Sequence, residues 1–208
     1  MGSPAVRDLS HQLVLDYLRL SGRTRAARYL EKELDVTGPS QVTDKDEELG
    51  EIRRHILQGD IQGAVEAIND ALPELLDSDE SLMFRLKLQA FVELLRSPGY
   101  DLKEALAFAA EELVPCPPDH RKALEETMAL MAFENPIDSP LKHVFDRQKG
   151  LAHEVNRRML KSQGIAGPRL DETLREATWL HISTHGNARN SPDATGKPGM
   201  EGAFSEFF

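Results

Sequence analysis

Residues 79–96, DESLMFRLKLQAFVELLR, set the terms for the rest of the chain. Phe84, Leu88, Phe91, Val92 and Leu95 recur at helical spacing as one apolar stripe, and Met83, Leu86, Ala90 and Leu94 form a second. Only the strip Arg85, Gln89, Glu93 and Arg96 is left polar. A helix apolar over most of its circumference has to be covered by neighbours on several sides, so this segment is expected to be a central helix. Ser78 or Asp79 supplies the side-chain oxygen for its first turn, and Ser97, Pro98 and Gly99 end it.

The flanking segments supply the cover. Leu9, Leu13, Val14, Tyr17 and Leu18 mark a first helix closed by Gly22. Thr24 opens a second helix as a predicted N-cap, with Ala26, Ala27, Leu30 and Leu34 inward and Gly38-Pro39 as the stop. The polar stretch 41–48 reads as a linker to a third helix carrying Leu49, Ile52 and Ile56, and Asp60 caps a fourth carrying Ile61, Ala64, Val65 and Ile68 up to Pro73. Asp101 and Glu104 open a sixth helix with Leu102, Ala105, Leu106, Ala109 and Leu113 inward. The prolines around Cys116 make a connector before a seventh helix over 119–133, with Leu124, Thr127, Met128 and Met131 inward. Ser139-Pro140 starts a short segment that resumes through Leu151, Ala152, Val155 and Met159. A last helix holds Leu170, Leu174, Ala177 and Trp179 to Ile182, and residues 187–208 are expected to be a disordered tail. Alternating strand patterns are missing throughout, so the expected class is all-α, an array of helical hairpins.

Composition removes several function classes. The formal charge of -10 opposes a phosphate-binding surface, because nucleic-acid affinity rests on clustered Lys and Arg. A single cysteine excludes an intramolecular disulfide and a Cys-rich zinc site, and no apolar run approaches the ~20 residues of a membrane helix. The expected compartment is therefore cytosolic or nuclear, with neither nucleic acid nor membrane as partner. Phosphate-loop, dinucleotide, nucleophile-elbow and zinc-protease motifs are absent. Asp44, Asp46 and Glu48 fail as a calcium loop, since Leu49 stands where Gly is wanted and His55 where Glu is wanted. His181 and His185 lie one turn apart without a third ligand in sequence, and Cys116 sits between prolines with no activating cation. No catalytic, cofactor-binding or metal residue is expected. A paired-carboxylate hydrolase would require a converging pocket to be visible in the fold.

The segment 8–34, DLSHQLVLDYLRLSGRTRAARYLEKEL, resembles the LisH helical hairpin. Residues 51–69, EIRRHILQGDIQGAVEAIN, with PELLD at 73–77 and the run from Phe84 to Leu95, resemble a CTLH domain. MALMAFENPIDSP at 128–140 and RQKGLAHEVN at 147–156 are similar to the CRA segment that follows it. This LisH-CTLH-CRA resemblance implies a hairpin at 8–36, a CTLH domain at 44–101, a CRA region at 102–186 and a tail at 187–208. It also implies a scaffold that bridges RanBPM-like and RING-bearing subunits of a GID/CTLH-type ubiquitin ligase, as a homo- or hetero-oligomer. One cysteine cannot hold a RING zinc framework, so the implied part in ubiquitylation is structural. The implied pairing residues are Leu13, Val14, Tyr17, Leu18, Ala27 and Leu30. Arg23 stands where the LisH pattern has an aromatic residue, and Leu30 where it has phenylalanine. The alternative reading is a dimerisation hairpin for a cytoskeletal or signalling assembly without ubiquitin machinery.

Overall fold

The structure is a computed structural model that describes residues 4–35 and 42–185. The Gly38-Pro39 stop, the start of the linker at Gln41 and the 187–208 tail lie outside the described residues. Every regular element among the described residues is helical, in agreement with the all-α expectation. The chain divides into two compact units, Met1–Asp171 and Glu172–Phe208.

Ten α-helices follow in order: α1 Pro4–Leu20, α2 Thr24–Glu33, α3 Asp44–Gln58, α4 Ile61–Ala71, α5 Pro73–Ser78, α6 Glu80–Arg96, α7 Leu102–Glu112, α8 Arg121–Met128, α9 Gln148–Ser162 and α10 Arg169–His185. The helix starts have local causes. Asp79 accepts from Leu82 N–H (3.0 Å), Asp60 from Gly63 N–H (3.0 Å) and Asp101 from Lys103 N–H (2.9 Å). Each satisfies a backbone donor that the first turn leaves unpaired. Pro73 begins α5 rather than merely interrupting α4, since proline at the first helical position gives up a donor that has no partner there.

α6 is central because its apolar side chains enter two different cores. Phe84, Leu88, Phe91, Val92 and Leu95 are buried with Ala105 and Ala109 of α7, Leu113 just after it, and with Leu130 and Val144. Leu86 and the N-terminal Leu82 are buried instead with α3, α4, α5 and α9, through Ile52, Ile56, Ile68, Leu76, Val155 and Met159. Each fully buried Leu, Ile or Phe contributes about 1.5–3 kcal/mol, so the two faces of this helix tie both halves of the first unit together.

Several local expectations are corrected. The third helix begins at Asp44, inside the stretch read as linker, because Thr43 and Asp46 form a reciprocal capping box. Thr24 is not the cap of α2; it is buried, and Arg23 precedes the helix without a side-chain cap. The seventh helix is shorter than 119–133, with 3-10 turns at Pro118–His120 and Ala129–Ala132, and Leu130 rather than Met131 is the buried residue. Gln89, on the strip read as polar, is buried and donates to Glu93 (2.6 Å).

Candidate protein-interaction surface

The α1–α2 hairpin closes at Gly22, whose φ of +68° is the left-handed conformation that favours glycine. Arg23 N–H reaches Leu18 C=O (2.8 Å) and Gly22 N–H reaches Arg19 C=O (3.0 Å), a Schellman end that satisfies the last carbonyls of α1. The turn rests directly on α3: a Cβ at Gly22 would stand 3.0 Å from the Leu49 carbonyl oxygen. Thr24 fits against Gly50, where a Cβ would lie 2.4 Å from its Oγ1.

Polar anchors complete the docking. Arg19 donates to Asp46 at 3.1 Å, and the same carboxylate accepts the Thr43 N–H at 2.8 Å. Asn156 of α9 donates to the Leu20 carbonyl at 2.7 Å. Asp46 is buried, so its charge-assisted bonds replace water that it has lost, and removing Arg19 would leave that carboxylate short of a partner. A sequence can show Asp46 as a helix-start acid, but the partner 27 positions away carries no local signal.

One side of the hairpin thus faces its own chain while the other remains open. The residues expected to pair are divided between the two. Ala27 is 0% exposed, so it belongs to the packing that keeps the hairpin in shape and offers no surface. Leu13, Tyr17, Leu18 and Leu30 are half-buried, and Val14 is 39% exposed. Leu9, also from the apolar stripe, is 54% exposed. Leu15, outside that stripe, is the deepest apolar side chain of α1 at 2%, and it lines a cleft with Gln12, Asp16, Arg19 and Arg169.

The chemistry elsewhere is sparse. Among the described residues no group of three His, Cys, Asp or Glu is arranged to hold a metal, and the His185 side chain lies outside them. The Cys116 thiol is half-buried and donates to Pro117 C=O at 3.3 Å. No described helix is long and apolar enough to cross a membrane. His120 stacks on Phe84 with ring centroids 5.3 Å apart and meets Ser81 Oγ at 2.8 Å. Burial, then the Arg85 charge, lowers its pKa, against an opposing pull from Asp119.

Comparison with known proteins agrees with this architecture. Residues 46–182 match the family described as CTLH/CRA C-terminal to LisH motif domain. A glucose-induced degradation protein 8 homolog from Nematostella vectensis is 32% identical over 189 residues, 88% of this chain and 82% of its own length. Its counterpart from Dictyostelium discoideum is 34% identical over 176 residues, 81% and 75% of the two chains. GID complex subunit 8 of Schizosaccharomyces pombe is 32% identical over 172 residues, covering 75% and 70%. With that family match spanning residues 46–182, most of the chain, this protein belongs to the family of CTLH/CRA domains that lie C-terminal to a LisH motif.

Proposed function

We propose that this chain is a non-catalytic subunit of a GID-type ubiquitin ligase assembly in the cytosol or nucleus, joining other LisH-CTLH-CRA subunits. Its likeness to GID complex subunit 8 and to glucose-induced degradation protein 8 homologs supports membership of such an assembly. The observation that carries the scaffold role is the open apolar side of a hairpin whose other side is already docked, with Leu9 and Val14 exposed beside half-buried Leu13, Tyr17, Leu18 and Leu30. Covering such a face by a partner helix removes apolar area from water at about 25 cal/mol per Å², before the cost of association is subtracted. The mechanism is geometric: tethering a substrate receptor and a catalytic RING-bearing subunit to one chain raises their effective concentration and restricts their orientation.

The test is the double variant Leu13→Asp with Leu18→Asp in the full chain. Pairing should disappear, seen as a halved or reduced mass by light scattering, while far-ultraviolet dichroism and the melting transition of the α3–α9 core persist. RING-bearing subunits should co-purify with the wild-type chain and be lost with the variant. Unchanged mass overturns the hairpin as the pairing surface, and pairing with no RING-bearing subunit recovered overturns the ligase assembly.

A further inference from the structure

Three carboxylates of α3 are already committed. Asp46 holds Arg19, Glu47 holds Arg28 at 2.5 Å, and Glu51 holds Arg54 at 2.9 Å. Arg23 and Arg53 make no ion pair among the described residues. They nevertheless belong to one cluster. The Arg23 guanidinium carbon lies 5.6 Å over the Tyr17 ring, and a Cβ at Gly22 would stand 3.4 Å from Arg53 Cδ. Burial first, and then the charge of Arg23, lowers the pKa of Arg53, with Tyr17 opposing.

This is an unusual expenditure in a chain with 35 acids and 25 bases. Stacking on Tyr17 gives Arg23 a cation-π partner, but it supplies no ion pair to Arg53, which is half-buried beside a like charge. Uncompensated charge at a surface is stabilised when a partner delivers the opposite sign, and a guanidinium presents a donor fork that matches a carboxylate. We propose that Arg23 and Arg53, with Tyr17 as platform, form a receptor for a carboxylate-bearing segment of a partner protein that docks at the hairpin turn. Tyr17 is shared with the open apolar side, so the two features form one continuous surface. This deepens the assembly reading and rests on it for the identity of the partner class.

The experiment titrates the isotope-labelled full chain with the capped peptide Glu-Glu-Leu-Glu-Glu and follows the arginine Nε–Hε signals by NMR. Those of Arg23 and Arg53 should shift, while a matched Gln-Gln-Leu-Gln-Gln peptide leaves them in place. No difference between the peptides overturns the proposal, as does an equal response to inorganic phosphate at matched charge, which would make this a free-anion site. In Arg53→Met the peptide affinity should fall about tenfold or more, the size expected for losing charged hydrogen bonds. The thermal midpoint of the isolated chain should rise in the same variant, because the repulsion is gone. A lower midpoint would identify Arg53 as a structural residue and overturn the proposal. The peptide titration requires no other subunit, so it can succeed while the light-scattering test above fails, and the reverse.

Discussion

His120 and Glu93 show how single side chains take roles that their sequence neighbourhood conceals. His120 is held neutral by burial against Phe84, so its folded pKa lies below the ordinary 6.5. The unfolded chain then binds the proton more readily, and this contribution to stability is fully present above pH 6.5 and is lost as pH falls towards the folded pKa. Wild-type melting midpoints should therefore decline as pH falls below 6.5, and His120→Gln should flatten that part of the profile. Asp60, whose pKa is lowered by the Gly63 N–H and then by His55, acts at more acidic pH and leaves this window clear. Glu93 has a side chain 16% exposed, pairs with Arg96 at 3.2 Å and accepts from Gln148 of α9 at 2.6 Å. Glu93→Ala should cost about 1.5–3 kcal/mol in denaturant unfolding, because three polar partners lose a charged acceptor. The caps Asp60, Asp79 and Asp101 were legible in sequence since their partners lie two or three residues away. The polar knot of Gln89, Glu93 and Gln148 was not, because one member lies 55 positions from another.

At the scale of elements, the hairpin and α3 meet through missing side chains. Gly22 is fixed twice, by its positive φ and by the carbonyl of Leu49. Gly22→Ala should lower stability by about 1–3 kcal/mol through backbone strain alone. Gly50→Ala gives a sharper test: helix propensity predicts a gain of about 1 kcal/mol, whereas the new Cβ meets β-branched, buried Thr24. The contact should win, so this variant should lose hydrogen-exchange protection in α1 and α2 while α6 remains protected. Protection unchanged in α1 and α2 would mean that the hairpin does not depend on this approach. The glycine at the end of α1 could be read from the pattern, but Gly50 could not, since a glycine inside a helix reports a close neighbour without naming it.

Across the whole molecule, every buried apolar side chain among the described residues lies in the first unit. α10 buries none of its described side chains, and Trp179, Leu180 and Ile182 are exposed, Trp179 at 62%. A chain carrying open apolar surface on α1 should be stabilised by whatever covers it. Thermal midpoints of the full chain should rise with partner concentration, by the equivalent of about 2.7 kcal/mol at a hundredfold excess over Kd. A midpoint independent of concentration, for both the chain itself and co-purified subunits, would oppose association as the hairpin's role.

The sequence alone determined the helical class, the central helix with its two stripes, most helix starts and the resemblance that the family match bears out. These follow from interactions within three or four residues and from periodicity, which a linear string records. Only the tertiary structure decided which hairpin face meets α3, that Leu15 turns inward, and that Arg53 feels the charge of Arg23 without an acid paired to it among the described residues. Such outcomes depend on distances between segments that are remote in the chain, and burial and charge act through those distances rather than through order along the backbone.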